Sequence, residues 1–197
     1  MSEYGESHEQ DREDMAELAK GKDLALNGLM DRHGERLWHF LTRILRDEHE
    51  AMDLTQETFV RVYRNCAKFN LGSKFTTWLY SIASNLAKDR LRWGKRRLII
   101  SKPWLQKRDQ DAQLVDVAET SPSPSEQTSL NEEAGLVKKA VKDLSEDLRI
   151  PLVLSVYEKR SYAEIGEILG CSEKAVEMKI YRARKLLKSD LSKSIHF

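Results

Sequence analysis

The chain has 197 residues, of which 33% are charged, and its 33 Lys and Arg nearly cancel its 32 Asp and Glu. That length holds one large or two small domains. Cys66 and Cys171 lie far apart without a CxxC or a histidine at ligand spacing, which excludes a disulfide framework and a zinc site. With no signal peptide and no apolar run of about twenty residues, a soluble, cytoplasmic protein without metal or other cofactor is expected.

The balanced total conceals strong local asymmetry. Residues 1–20 carry seven acids against two bases, a net of −5. Residues 88–108 carry nine bases against one acid, a net of +8. Residues 109–133 carry seven acids and no base, a net of −7, and residues 174–193 carry seven bases against two acids, a net of +5. Two basic blocks able to neutralise phosphates therefore flank an acidic one that avoids DNA or imitates it.

In chain order, residues 1–14 are polar and acidic without apolar periodicity, and are expected to be a disordered tail. A helix follows from roughly Leu24 to Leu45, its stripe traced by Leu26, Leu29, Met30, Leu37, Phe40, Leu41 and Ile44, with His33 as a packing residue beside it. Asp47 and Glu50 form a capping box that opens a second helix to about Cys66, with Leu54, Phe59, Val62 and Tyr63 facing inward. After a break at residues 69–74, Ser73 is expected to cap a third helix whose inner side carries Phe75, Trp78, Leu79, Ile82, Ala83 and Leu86, and whose end is basic. No alternating strand pattern of useful length occurs.

Periodicity weakens from Ile99. Thr120-Ser-Pro-Ser-Pro-Ser breaks helix, because each proline removes a donor and restrains its predecessor. Residues 98–133 read as a linker that reaches on the order of 100 Å if stretched. Helical pattern returns near Glu133, and Ser145 caps a helix with Glu146 and Asp147 in its first turn. Pro151 either kinks that helix or marks its true start.

The most informative stretch is the last forty residues. Ser161 and Glu164 make a second capping box, Ile165, Ile168 and Leu169 form a stripe, and Gly170 supplies the left-handed helix end. Ser172 caps another helix, in which Val176, Ile180, Ala183 and Leu187 make one buried face. The opposite face carries Lys174, Met178, Tyr181, Arg182 and Lys185. Two short helices, a glycine turn and a basic outer face describe a helix-turn-helix, a reader of duplex DNA. The whole is therefore all-α, with two small helical domains joined by a flexible acidic linker. Residues 15–97 form the first domain, 98–133 the linker, and 134–193 the second.

Three segments resemble a known family: Asp53-Leu-Thr-Gln-Glu-Thr-Phe-Val-Arg-Val-Tyr, then Phe75-Thr-Thr-Trp-Leu-Tyr through Arg92, then Leu144 through the helix-turn-helix to Lys188. In that order, split by an acidic linker, they are similar to the extracytoplasmic-function (ECF) sigma factors, the smallest promoter-specificity subunits of bacterial RNA polymerase. The resemblance implies a −10 domain, a linker through the polymerase cleft, and a −35 domain, with no catalytic residues and no small-molecule substrate. It implies that Asp53, Gln56 and Glu57 dock core RNA polymerase. Phe69, Asn70, Ser73, Lys74 and Asn85 would capture bases of the single-stranded −10 element, and Lys88, Arg90, Arg92 and Arg96 would hold its phosphates. Trp78, followed by Leu79 in place of a second tryptophan, reads better as core than as a strand-separating wedge. Lys174, Glu177, Met178, Tyr181, Arg182 and Lys185 would face the −35 duplex. Glu177 either accepts from a cytosine amino group or pairs with Lys174, while Met178 offers apolar contact. The resemblance also implies an anti-sigma partner, able to hold the protein at the inner membrane.

Two other readings compete. A one-component helix-turn-helix regulator with a sensor or dimerisation domain needs neither the 53–63 segment nor the basic third helix. A nuclease using Asp109, Asp111 and Asp116 as metal ligands lacks a fixed scaffold.

Overall fold

The computed structural model describes residues 3–101, 141 and 143–194, with side chains described within 8–94, 141 and 143–192. Among these residues the regular structure is entirely helical. Helices α1 (Glu3–Ala19), α2 (Ala25–Leu45), α3 (Glu48–Arg64) and α4 (Phe75–Ser101) form one body. Helices α5 (Glu146–Val156), α6 (Tyr162–Leu169) and α7 (Glu173–Ser194) form the second.

The first body is organised by the α2–α3 hairpin. Arg46 takes a left-handed conformation (φ 62°) and its N–H closes the end of α2 on the Thr42 carbonyl at 2.9 Å. Asp47 then caps α3 by accepting from the Glu50 N–H at 2.9 Å. Only half of the expected capping box forms, because the Glu50 carboxylate pairs with Arg90 of α4 instead. Leu37, Phe40, Leu41 and Ile44 meet Leu54, Phe59 and Val62, and α4 closes the core with Phe75, Leu79, Tyr80, Ala83 and Ala87. Phe40 and Tyr80 meet edge to face at 4.9 Å, a preferred geometry for aromatic pairs.

The structure corrects several expectations. The acidic stretch to residue 14 is helical from Glu3, not disordered. Met15 and Leu18 are buried, which contributes about 1.5–3 kcal/mol each, and Asp11 is buried with them between partners on α2. Arg32 Nε donates to Asp11 at 3.0 Å, and His33 Nε2 lies 2.8 Å from the same carboxylate. His33 is thus a hydrogen-bond partner of Asp11 as well as a packing residue. Met30 and Tyr63, assigned inward, are exposed; the Tyr63 hydroxyl donates to Asp23 at 3.1 Å. Helix α4 begins at Phe75, so Ser73 precedes the cap position, and it runs on through residue 101 past the expected linker boundary. The remainder of the linker, including Asp109, Asp111 and Asp116, lies outside the described residues.

In the second body, α5 starts at Glu146 and runs through Pro151, which is buried inside it. Ser145 occupies the N-cap without a side-chain hydrogen bond. The helix-turn-helix forms as its local signals require. Both hydrogen bonds of the Ser161–Glu164 capping box are present, and Gly170 takes φ 65° at the end of α6. The Ala175 N–H reaches Ser172 Oγ at 3.3 Å. Gly166 is needed as well: a Cβ there would stand 2.7 Å from the Cys171 carbonyl oxygen, so the turn rests directly on the α6 backbone. Ile150, Val153, Leu154, Ile165, Ile168, Val176, Ile180 and Ala183 fill this core.

The two bodies pack on each other, α5 against α2 and α6 against α4.

Candidate nucleic-acid interface

Four surfaces carry the expected site residues. On α3 the amphipathic pattern buries Leu54, Thr55, Thr58, Phe59 and Val62, which leaves Asp53 and Gln56 exposed and Glu57 half-exposed. Glu57 accepts from Arg61 Nε at 2.8 Å. Met52 and Val60, also exposed at 46% and 39%, stand on the same outer side. The surface thus combines carboxylate and amide groups with two bare apolar side chains. Met52 and Val60 were legible as apolar residues outside the buried stripe.

The second surface is a cavity of about 670 Å³ between the loop before α4 and the start of α4. Phe69, Asn70, Ser73 and Lys74 line it, together with Lys68, Thr77, Trp78 and Ser81, which the sequence reading did not include. Trp78 is half-buried and touches both the core and the cavity; its ring lies 5.1 Å from Phe69. The two rings offer an apolar wall, and Lys74 a charge at the rim. Asn70 shapes the loop: its Oδ1 accepts from the Gly72 N–H at 2.9 Å and its carbonyl accepts from the Ser73 N–H at 2.8 Å. Asn85 is not part of the cavity lining. It stands exposed two turns further along α4, and its amide meets no hydrogen-bond partner among the described residues.

The third surface is the continuation of α4. Lys88 and Arg92 meet no carboxylate among the described residues, so their charges face outward. Arg90 differs, because Glu50 neutralises it. The Arg96 side chain lies outside the described side chains.

The fourth surface is the outer face of α7. Lys174, Glu177, Met178, Tyr181, Arg182 and Lys185 are all exposed on it, Tyr181 at 60% and Met178 at 45%. No ion pair joins Glu177 to Lys174, so its carboxylate is available to a ligand.

Between the bodies lies a network that sequence reasoning missed. Glu158, 4% exposed, accepts from Tyr80 Oη at 2.7 Å and from Arg36 Nε at 2.7 Å. Burial, and then the adjacent Glu158 charge, push the Tyr80 phenol far above its usual range. Arg149 reaches back from α5 and donates to the Ile44 carbonyl of α2 at 2.6 Å and to the Leu144 carbonyl at 2.8 Å. Arg43 lies over the Tyr157 ring at 4.5 Å, and Arg160 over the Tyr80 ring at 5.3 Å. At the cavity rim Lys74 Nζ donates to Glu164 at 2.9 Å. That bond, followed by the backbone and hydroxyl of Ser161, lowers the Glu164 carboxyl to about 2. Glu164 and Glu167 of α6 complete the cavity lining.

Residues 29–97 match the sigma-70 region 2 family and residues 134–187 match sigma-70 region 4. The RNA polymerase sigma-H factor of Pseudomonas aeruginosa is 30% identical over 184 residues, spanning 92% of this chain and 93% of its own. The chain belongs to the extracytoplasmic-function sigma factors of the sigma-70 family. The ECF RNA polymerase sigma-E factor of Haemophilus influenzae, 30% identical over 177 residues, spans 88% of this chain and 91% of its own. Among solved structures, CnrH in complex with the cytosolic domain of CnrY matches with a TM-score of 0.67 and 25% identity, covering 93% of this chain and 98% of that one. As an ECF sigma factor the protein is a promoter-specificity subunit of RNA polymerase, a DNA-binding initiation factor and not an enzyme. The sensor-domain regulator is not favoured, since region 2 occupies the place a sensor domain would need. No helix among the described residues is long and apolar enough to cross a membrane.

Proposed function

We propose a residue-level division of labour for this sigma factor. The α3 surface built from Asp53, Gln56 and Glu57, extended by Met52 and Val60, docks core RNA polymerase. The cavity takes an extruded base of the −10 strand. Phe69 and Trp78 supply stacking surface, Lys74 a phosphate contact, and Asn70 and Ser73 the loop geometry. Downstream on α4, Asn85 reads a base edge with its amide, and Lys88, Arg92 and Arg96 follow the backbone. Arg90 joins them only if it leaves Glu50. The outer face of α7 enters the major groove of the −35 element.

The observation that supports this reading best is the cavity itself: an aromatic wall and a lysine meet beside the exposed loop 70–74 that leads into a helix with a basic far end. The protein acts in the cytoplasm and is held inactive by an anti-sigma partner, a reading supported by CnrH having been solved in complex with the cytosolic domain of CnrY.

Reconstituted transcription tests the assignment. Purified protein is added to core RNA polymerase with a genomic promoter library, and the transcripts are sequenced. Asn85→Ala is expected to reduce open-complex formation while core polymerase binding stays intact. Asp53→Ala with Gln56→Ala is expected to weaken core binding instead. Equal loss of both properties in Asn85→Ala would make Asn85 structural.

A further inference from the structure

A separate cleft of about 420 Å³ lies between the two bodies. Its walls carry more positive than negative charge. Arg32, Arg36, Lys74, Lys159 and Arg160 stand against Asp11, Glu158 and Glu164, five cations to three carboxylates. We propose that this cleft binds a small phosphate-bearing molecule through its phosphate group.

The carboxylates are already engaged. Asp11 accepts from Arg32 and lies against His33, Glu158 accepts from Arg36 and Tyr80, and Glu164 accepts from Lys74 and Ser161. The cations are in surplus. Lys159 is exposed and meets no carboxylate among the described residues. Arg160 is 14% exposed and reaches Glu164 only at 3.8 Å. Its Nε is buried and meets no acceptor among the described residues. A buried donor without an acceptor is costly, and an anion in the cleft supplies one.

Lys159 carries the stronger signal. The chain leaves α5 by a turn in which the Arg160 N–H donates back to the Leu154 carbonyl at 3.1 Å, and Lys159 inside that turn takes φ 53°. Glycine is the usual occupant of this left-handed position at a helix end, and asparagine the next, because a Cβ is disfavoured there. A lysine here holds a cation on the cleft wall in spite of that strain, and no ion pair among the described residues offsets it.

Phosphate suits these donors better than a carboxylate does. They stand on both walls: Arg32 and the Thr76 hydroxyl belong to α2 and α4, Lys159 and Arg160 to the segment between α5 and α6. A carboxylate offers its oxygens in one plane, whereas a phosphate offers them in tetrahedral directions, and lysine and arginine both bond it with charge assistance. The excess of cations over carboxylates matches the charge of a phosphate monoester. The volume leaves room for an attached group, since small-molecule pockets span about 300–1,000 Å³.

Titration calorimetry on the full chain, at fixed ionic strength, tests the site with sodium phosphate and adenosine monophosphate as probes. Wild type is expected to bind both saturably at one site. Lys159→Gly, with Lys159→Asn as a second variant, accepts the left-handed conformation and removes the charge. Both are expected to weaken binding on the order of tenfold, while thermal stability without ligand holds or rises. Lys188→Ala, at an exposed position of α7, controls for general charge and is expected to bind like wild type. Tighter binding of the nucleotide assigns the cleft to a phosphate ester, and equal binding assigns it to the free anion; either result upholds the site. No saturable binding, an affinity unchanged in the Lys159 variants, or an equal loss in Lys188→Ala would overturn it.

Discussion

Tyr80 donates its hydroxyl hydrogen to Glu158 at 2.7 Å, joining α4 to the turn after α5, 78 positions along the chain. The phenol is buried, and its conjugate base would sit against a carboxylate. Burial first and the Glu158 charge second therefore keep it protonated well beyond the ordinary tyrosine range. The protein contains six tyrosines. An alkaline absorbance titration is expected to leave Tyr80 untitrated until the protein unfolds, and Tyr80→Phe to leave the titrating amplitude below pH ~11 unchanged. A loss of one tyrosine equivalent in that range would show Tyr80 to be open to solvent.

The Lys74–Glu164 pair sets an acid limit. Its carboxyl lies at about 2, lowered chiefly by Lys74. A depressed folded-state value means a contribution fully present above the ordinary carboxylate range and lost as the pH falls toward the folded value. The window is therefore pH ~4.5 down to ~2. Glu164→Gln is expected to flatten the pH dependence of stability in this window relative to wild type, as followed by urea unfolding at successive pH values. Because Lys74 is more than half exposed, the effect is modest and shrinks with added salt.

Gly166 and Gly34 form a matched pair of glycines within helices. A Cβ at Gly166 would lie 2.7 Å from a backbone oxygen, whereas one at Gly34 meets nothing within 4 Å. Gly166→Ala is expected to destabilise by about 1–3 kcal/mol, because the Cys171 carbonyl can move only with its turn. Gly34→Ala is expected to stabilise by about 0.5–1 kcal/mol through helix propensity alone. Thermal unfolding of the two variants should shift in opposite directions.

Glu177 is exposed on α7 with no cation partner among the described residues. A carboxylate in the major groove accepts from a cytosine amino group, and a good contact discriminates by about 1–3 kcal/mol. Glu177→Ala is expected to relax preference at one −35 position in a selection from random duplexes by holoenzyme, leaving the other positions unchanged. Uniform weakening across all positions would place Glu177 outside the base-reading set.

The helix-turn-helix was readable because its signals are local. Ser161 with Glu164, Gly170 and Ser172 each act within one turn of chain, and each forms the bond its spacing implies. The alternation of buried and exposed positions on α3 and α7 was readable for the same reason. Helix α1 was not, because its helical segment offers few apolar residues and its anchorage depends on Asp11 finding Arg32 and His33 some twenty positions away. Tyr63 misled because an aromatic at a helical step also serves as a surface hydrogen-bond donor to a loop, here to Asp23. Asn85, which the resemblance groups with the base-capturing pocket, stands instead exposed on α4 beyond the cavity lining. The contacts between the bodies had no sequence signature at all. A buried glutamate with a tyrosine and an arginine is indistinguishable, in one dimension, from three solvated polar side chains.

Arg149 closing on the Ile44 carbonyl has a consequence for measured affinity. Separating the bodies returns a guanidinium, a helix-end carbonyl and the Glu158 carboxylate to water together. Any partner that engages the bodies only when apart binds a minor conformer, and its apparent dissociation constant is the intrinsic one divided by the fraction already open. Weak binding of isolated promoter fragments to this sigma factor would then measure a conformational population, not a poor fit to DNA.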